Sequence, residues 1–138
     1  VAVVNQQTTV ADLSSLKILL AEDNTVNIFF MKQLFKRWNI TADYAENGRV
    51  AVDMHLQNDY DLILMDMYMP EMDGIEATKS IRKLTDPQKK DIYIIALTAS
   101  VSGDIQRRVK ESGINDYLQK PFQLDALREK LEKALIYR

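Results

Sequence analysis

Several common functional features are absent from this chain of 138 residues. It has no cysteine, which excludes disulfides, thiolate metal sites and cysteine nucleophiles and is compatible with a reducing compartment. Its 18 basic and 20 acidic residues nearly balance, so no overall basic charge points to nucleic acid. No apolar run approaches the roughly 18 residues needed to cross a membrane, and no signal peptide is visible. We therefore expect contact with neither nucleic acid nor membrane.

The length and composition are those of one ordinary domain. Hydrophobic residues make up 46% of the chain and charged residues 28%, which is a normal globular balance. The chain begins with Val1, and we expect it to be a piece of a longer protein. Residues 1–15 have neither a helical nor a strand period, so we interpret them as a linker or a disordered segment outside the core. The folded domain is predicted to span residues 16–138.

Short apolar runs alternate with helical patterns along the rest of the chain. The predicted strands are residues 17–21, 40–45, 61–65, 92–97 and 115–118. The predicted helices are residues 26–38, 49–58, 73–84, 102–112 and 123–136. Strict alternation of strands and helices predicts an α/β fold, with a parallel sheet covered by helices on both faces. In such sheets the binding site lies beyond the carboxyl ends of the strands.

The first helix has apolar residues at helical spacing, which predicts its buried face. The residues assigned to that face are Asn27, Phe30, Met31, Leu34 and Trp38. Ile28 and Phe29 are then expected to face solvent.

Acidic, hydroxyl and basic side chains follow four of the five predicted strands. Glu22 and Asp23 follow the first strand, Asp66 the third, Thr98 the fourth and Lys120 the fifth. Carboxylates that crowd together repel one another, so their grouping predicts a bound cation, and Mg²⁺ prefers such oxygen ligands. A lysine and a hydroxyl beside them suit a ligand oxyanion. The set predicts a site that handles a phosphoryl group with a metal.

Four motifs at these strand ends resemble those of response-regulator receiver domains. They are LLAEDN at 19–24, LMDMYMPEMDG at 64–74, ALTA at 96–99 and KPF at 120–122. The stretch AEDNTVN at 21–27 is most similar to receivers fused to hybrid sensor histidine kinases. The resemblance implies a flavodoxin-like three-layer sandwich with five helices and a five-stranded parallel sheet in the order 2-1-3-4-5.

The resemblance also implies a metal site and a phosphorylation site. Asp66 matches the aspartate that accepts a phosphoryl group from a partner's histidine. Asp23, Asp66 and the backbone carbonyl of Tyr68 would bind Mg²⁺, and Glu22 would act through water. The isolated domain would then catalyse its own phosphorylation and dephosphorylation.

Four further positions match residues that bind, position or respond to the phosphoryl group in this family. Lys120 matches the lysine that pairs with phosphoryl oxygens, and Pro121 stands where the family has a cis peptide. Thr98 and Tyr117 match the pair of residues that switches conformation. This switch would be a population shift between two packings, biased by the added charge.

The expected partner is a histidine kinase dimerisation domain or a histidine phosphotransfer protein. We expect Ile28, Phe29 and Phe122 to form its docking patch, because receivers dock this partner through the first helix and the loop after strand five. The chain would be a cytoplasmic part of a hybrid sensor histidine kinase. That parent protein would be a protein-histidine kinase. A stand-alone response regulator and a non-phosphorylated interaction module are the alternatives, and the oligomeric state is open.

Two other functions fit these residues less well. A phosphatase of the haloacid dehalogenase type needs a second acid two residues beyond its nucleophile, where this chain has Tyr68. A flavin-binding domain needs a hydroxyl-rich phosphate cradle after strand one, where Glu22 and Asp23 would repel a phosphate. His55, the only histidine, lies far in sequence from every strand end, and we interpret it as structural.

Overall fold

The computed structural model describes residues 12–137. Within them, five strands form one sheet: β1 Lys17–Ala21, β2 Thr41–Ala45, β3 Leu62–Asp66, β4 Tyr93–Thr98 and β5 Asp116–Gln119. All neighbouring strands are parallel, in the order β2-β1-β3-β4-β5. The predicted sheet and its order are confirmed.

In the described part of the chain, six helices connect and follow these strands. They are α1 Thr25–Arg37, α2 Gly48–Gln57, α3 Gly74–Arg82, α4 Pro87–Lys90, α5 Gly103–Ser112 and α6 Leu124–Tyr137. The short helix α4 falls where the sequence predicts only a helix break. Asp86 caps it and Pro87 occupies its first turn, a position where the missing N–H of proline costs nothing. Among residues 12–137, none of the helices is both long and apolar enough to cross a membrane.

Side chains alternate between the two faces of the sheet, and each face has its own core. From β1, Leu19 and Ala21 join the core beneath α2, α3 and α5. Ile18 and Leu20 join the opposite core, beneath α1 and α6. Burial on both faces explains why the central strands read as continuous apolar runs and not as alternating patterns.

Helix α1 is rotated relative to the face predicted from sequence. Its buried residues are Met31, Leu34 and Phe35. Phe30 is 51% exposed and Asn27 is also exposed, so both were wrongly assigned to the core. The error has a geometric reason: the stripe 31, 34, 35 and 38 has helical spacing too, and it omits the first turn, which borders a surface groove.

The segment before β1 contributes to the core in one place. Leu13, which the sequence assigns to the linker, is only 2% exposed and packs in the core beneath α1 and α6. This differs from the expectation that residues 1–15 stay outside the core. Residues 1–11, and with them most of the predicted linker, lie outside the described residues.

Candidate functional site

Three carboxylates meet at the carboxyl edge of the sheet, where the strands end. Glu22, Asp23 and Asp66 each offer an oxygen, and these oxygens lie within 4.8 Å of one another. Asp66 is the last residue of β3, and Glu22 and Asp23 directly follow the neighbouring strand β1. Glu22 and Asp66 are buried, whereas Asp23 is exposed. Two acids of the cluster are thus buried, and the third, Asp23, lies where the site opens to solvent.

Backbone hydrogen bonds continue past the strand ends and hold the site loops in place. The N–H of Glu22 donates to the carbonyl of Ala45 at 2.9 Å, and the N–H of Lys120 donates to the carbonyl of Thr98 at 2.7 Å. Both bonds extend the parallel ladder by one step beyond the strands. Glu22, Asp66 and Lys120 are therefore positioned by the sheet and not by free loops.

Gly74, the first residue of α3, allows this helix to start directly beside Asp66. A Cβ atom built on Gly74 would lie 2.3 Å from the Asp66 carbonyl oxygen, far inside van der Waals contact. Only glycine permits so close an approach between two backbone segments. The glycine of the motif at 64–74 therefore has a packing role beside the site.

Lys120 lies between two of the acids. Its Nζ is 3.2 Å from Oε1 of Glu22 and 3.3 Å from Oδ2 of Asp66. The peptide bond between Lys120 and Pro121 is cis, as the resemblance implies. One ammonium group thus bridges two buried carboxylates.

The electrostatics of the cluster show that it lacks positive charge. Burial, and then the nearby Glu22 carboxyl, raise the pKa of Asp66 to about 6, while Lys120 opposes the rise. Burial alone would lower the pKa of Lys120, but Asp66 and Glu22 outweigh it and raise that pKa. Of the three carboxylates, Glu22 and Asp66 contact this ammonium group, so negative charge exceeds positive charge among the cluster residues described here. Such a donor set fits a hard divalent cation.

Thr98 and Tyr117 lie on the neighbouring strands β4 and β5. Thr98 is buried, its hydroxyl donates to the carbonyl of Ser100 at 2.8 Å, and it accepts from the N–H of Ser100 at 3.2 Å. Tyr117 is half-buried and packs against the core beneath α5. In this conformation the Thr98 hydroxyl is bound to its own loop.

Two grooves flank the exposed face of α1 that carries Phe29 and Phe30, which we call the α1 ridge. The first has a volume of about 370 Å³ and reaches Glu22 and Lys120, with Phe30 and Phe122 among its lining residues. The second groove is lined by Ile28 and Phe29, among others. Phe29 is 64% exposed, and Ile28 and Phe122 are half-buried. Of the predicted docking residues, Phe122 thus lines the first groove, and Ile28 and Phe29 line the second.

Two residues beside the site were assigned to the core by the sequence pattern. Phe30 lines the first groove, and the Asn27 amide donates to Oε1 of Glu22 at 3.4 Å. A signal was present for Asn27: it stands three residues after Asn24, the N-cap of α1. Side chains at this position commonly turn back toward the helix start.

His55 lies away from the site, at the amino edge where the strands begin. It is 1% exposed, and its Nε2 lies 2.8 Å from the carbonyl of Lys89, to which it donates. A buried imidazole bound to backbone fits the structural interpretation made from sequence.

Comparison with known proteins agrees with this geometry. A family model described as "Response regulator receiver domain" matches residues 18–132. Histidine protein kinase 1 of Candida albicans is 38% identical over 138 residues, covering 94% of this chain. Hybrid signal transduction histidine kinase B of Dictyostelium discoideum is 43% identical over 129 residues, covering 86%. The matched region is only 6% and 7% of those relatives' own lengths.

Solved structures of the same fold include one with a magnesium ion and one with a partner protein. The receiver domain of the Pseudomonas aeruginosa sensor histidine kinase PA1611, with a magnesium ion in its active site cleft, is 33% identical with a TM-score of 0.79. That match covers 87% of this chain and 97% of the other. The receiver domain of Saccharomyces cerevisiae Ssk1, solved with the histidine phosphotransfer protein Ypd1, is 33% identical with a TM-score of 0.77, over 86% and 87% of the two chains. This chain belongs to the response regulator receiver domain family and is a receiver domain of two-component phosphorelay signalling.

Proposed function

We propose that Asp66 is the residue that accepts the phosphoryl group. An Asp66 carboxylate oxygen attacks the phosphorus of a partner's phosphohistidine, the new O–P bond forms, the N–P bond breaks, and the histidine nitrogen leaves with its electron pair. The observation that carries this proposal is the position of Asp66, buried at the end of β3 and 3.3 Å from Lys120. Phosphoryl transfer depends mainly on such positioning and on neutralisation of charge.

Asp23, Asp66 and the backbone carbonyl of Tyr68 are the proposed ligands of Mg²⁺, with Glu22 acting through water. Support comes from the three carboxylates within 4.8 Å and from the raised pKa of Asp66, whose main cause is burial and whose second cause is the neighbouring Glu22 carboxyl. Bound Mg²⁺ supplies charge neutralisation at the transferring phosphoryl group. The protein contributes a rigid carboxylate set, because Glu22 and Asp66 are fixed by the sheet.

Lys120 and Thr98 are the proposed partners of the phosphoryl oxygens. Lys120 already lies beside Asp66, so a short movement of its ammonium group reaches an added phosphoryl group. Thr98 would exchange its bond to Ser100 for a bond to a phosphoryl oxygen, and the space it leaves would admit Tyr117. The phosphoryl group thereby favours one of two packings of the β4–β5 surface.

Chemical labelling tests the acceptor. We expect one phosphoryl group on Asp66 after incubation with acetyl phosphate and Mg²⁺, labile to hydroxylamine as an acyl phosphate is and detected by mass spectrometry of the intact chain and its peptides. Asp66→Asn should carry none, and chelation of Mg²⁺ should abolish labelling of the wild type. An unlabelled wild type would instead support a receiver that acts only as an interaction module.

A histidine phosphotransfer protein or a kinase dimerisation domain is the proposed partner, and it docks on the α1 ridge. Phe29 is 64% exposed and the adjacent Phe30 is 51% exposed, and large exposed apolar residues that cluster mark interaction surfaces. Phe29→Ala should slow transfer from phosphorylated Ypd1 about tenfold, a typical cost of losing one aromatic interface anchor. Transfer from acetyl phosphate should not change, because this donor does not need the ridge.

Leu56→Ala is the matched control for that experiment. Leu56 is 50% exposed and lies on α2, so its loss removes a similar apolar area elsewhere. Equal slowing of both donors by Phe29→Ala would contradict docking on α1. Slowing by Leu56→Ala as well would indicate a general loss of folded protein.

The parent protein is proposed to be a hybrid sensor histidine kinase with this domain in the cytoplasm. The similarity to two histidine kinases over most of this chain supports that parentage. The full reading frame around the gene segment tests it: a kinase core in the same frame is expected, and its absence would favour a stand-alone response regulator.

A further inference from the structure

Two donors from the start of helix α1 converge on the buried carboxylate of Glu22. The backbone N–H of Asn24 donates to Oε2 at 3.2 Å, and the side-chain amide of Asn27 donates to Oε1 at 3.4 Å. Glu22 is only 2% exposed, so hydrogen-bond donors of the protein, and not water, must stabilise its negative charge. The first turn of α1 is thus directed at Glu22.

Helix α3 shows what the same position does when it only caps a helix. There Glu76, the third residue of the helix, accepts from the N–H of Asp73 at 3.1 Å, while the Asp73 side chain accepts from the N–H of Glu76 at 2.8 Å. Asn27 is also the third residue of its helix, but its side chain donates to Glu22 instead. An acid at residue 27 would face Glu22 and be repelled. The amide therefore serves Glu22 and not the cap.

Asn27 and Lys120 share one oxygen of Glu22. The Lys120 ammonium lies 3.2 Å from the same Oε1 that accepts from the Asn27 amide. Lys120 also contacts Asp66 at 3.3 Å. When Lys120 moves toward a phosphoryl group, Glu22 loses an ionic partner, and a buried carboxylate left without donors is costly.

We propose that Asn27 is a positioning residue that holds the Glu22 carboxylate toward α1 and so releases Lys120 to the phosphoryl group. The inference rests on the proposed phosphorylation of Asp66. Asn27 keeps its bond to Oε1 when Lys120 leaves, so the exchange costs less. Without Asn27, Glu22 depends more strongly on Lys120 and retains it.

Phosphorylation by acetyl phosphate with Mg²⁺ tests this role without any contribution from partner docking. Asn27→Ala should lower the maximal rate roughly three- to tenfold with little change in the KM for acetyl phosphate, the range expected for one hydrogen bond. Asn27→Gln keeps the amide and should restore part of the rate. Glu76→Ala removes the matched residue of α3 and should lower the Tm but leave the rate unchanged.

A second measurement needs neither Mg²⁺ nor turnover. In the metal-free protein, the side-chain amide resonances of Asn27 should shift clearly in Glu22→Gln, because the acceptor loses its charge. They should stay in place in Glu76→Ala. Unchanged Asn27 resonances in Glu22→Gln would show that the contact does not form in solution and would overturn the inference.

The rate measurements also separate this inference from the proposed function. A phosphorylated wild type together with an equally fast Asn27→Ala overturns the role of Asn27 alone. An equal loss of rate in Asn27→Ala and Glu76→Ala would indicate a helix-start effect and would overturn it as well. A wild type that takes no phosphoryl group overturns the proposed function, and this inference with it.

Discussion

The two edges of the same sheet treat their charged side chains in opposite ways. At the carboxyl edge, Glu22, Asp23 and Asp66 crowd together, and the Lys120 ammonium contacts two of them, Glu22 and Asp66. At the amino edge, the charged donors bind mainly backbone carbonyls. The Lys89 ammonium donates to the carbonyls of His55 and Asn58 and contacts the Asp59 side chain.

Arg82 extends this arrangement across the amino edge. Its guanidinium donates to the carbonyls of Gly113, Lys90 and Ile92 at 2.9, 2.6 and 2.7 Å. A fourth bond, at 2.9 Å, reaches the side chain of Asn115. One side chain thus joins the end of α3 to the segments that lead into β4 and β5.

The comparison shows that contacts which stabilise the fold lie at one edge of the sheet and the reactive side chains lie at the other. Donors that are fully matched with acceptors stabilise the edge where they lie and leave nothing to bind. Carboxylates with too little positive charge cost stability but prepare a site for a cation and a phosphoryl group. Variants at each edge should therefore respond differently to Mg²⁺ and to pH.

Arg82→Ala should have the largest effect on folding. It removes all four bonds, of which those to the carbonyls of Gly113 and Ile92 are part-buried, so we expect the free energy of unfolding to fall by about 3 kcal/mol. Urea denaturation monitored by circular dichroism measures this, and added Mg²⁺ should not restore the loss. Lys83→Ala, at an exposed neighbouring position, is the control and should change little. A loss in Arg82→Ala that Mg²⁺ reverses would contradict the separation of the two edges.

Asp66→Asn should stabilise the metal-free protein by about 2 kcal/mol at pH 8. The pKa of Asp66 is raised to about 6 from 3.8, so the unfolded chain loses its proton first as the pH rises. The wild type therefore loses stability between about pH 4 and pH 6, and asparagine does not. Denaturation curves across this range measure the gain, which should vanish near pH 4.

Mg²⁺ provides the control for the Asp66 prediction. Cation binding offsets the repulsion in the wild type, so the advantage of Asp66→Asn should shrink as Mg²⁺ is added. An asparagine variant that is less stable than the wild type without Mg²⁺ would show that the carboxylate cluster is not strained.

The strand ends could be predicted from sequence because their pattern is local. Each apolar run ends where a polar residue begins, so Asp66, Thr98 and Lys120 were placed at one edge by the alternation of strands and helices alone. The order of the strands, and with it which of these residues are neighbours, came from the resemblance. Their roles in phosphoryl transfer came from the resemblance and not from the pattern.

Other features depend on long-range contacts that no local pattern reveals. The exposure of Phe30 depends on which face of α1 packs against the sheet. Residues 27–38 contain two overlapping stripes of helical spacing, and the local pattern does not distinguish them. The bonds of Arg82 join residues 8 to 33 positions away, and its sequence neighbourhood reads as an ordinary helix end. Leu13 is buried by tertiary packing, although it lies in a segment without periodicity.

His55 offers the smallest effect and the closest test of the amino edge. Its Nε2–H donates to the Lys89 carbonyl, its buried Nδ1 has no partner among the described residues, and burial lowers its pKa below 6.5. The positive charges of Lys89 and Arg82 lower the pKa further, while the bond to the Lys89 carbonyl and the charge of Asp59 raise it. Below about pH 6.5 the unfolded chain takes up a proton more readily than the folded one. Stability should therefore fall as the pH drops from about 6.5 toward 5.

This effect must be separated from that of Asp66, which acts in the same pH range with the opposite sign. The Asp66→Asn background removes that contribution, and Asp66→Asn/His55→Gln then serves as the reference. The difference in unfolding free energy between these two proteins should change between pH 7.5 and pH 5 in the direction that disfavours histidine. Because His55 is the only histidine in the chain, a pH-independent difference would mean that its ring takes up a proton without loss. The amino edge would then accept an added positive charge without loss of stability, as the carboxyl edge is expected to do when it binds a cation.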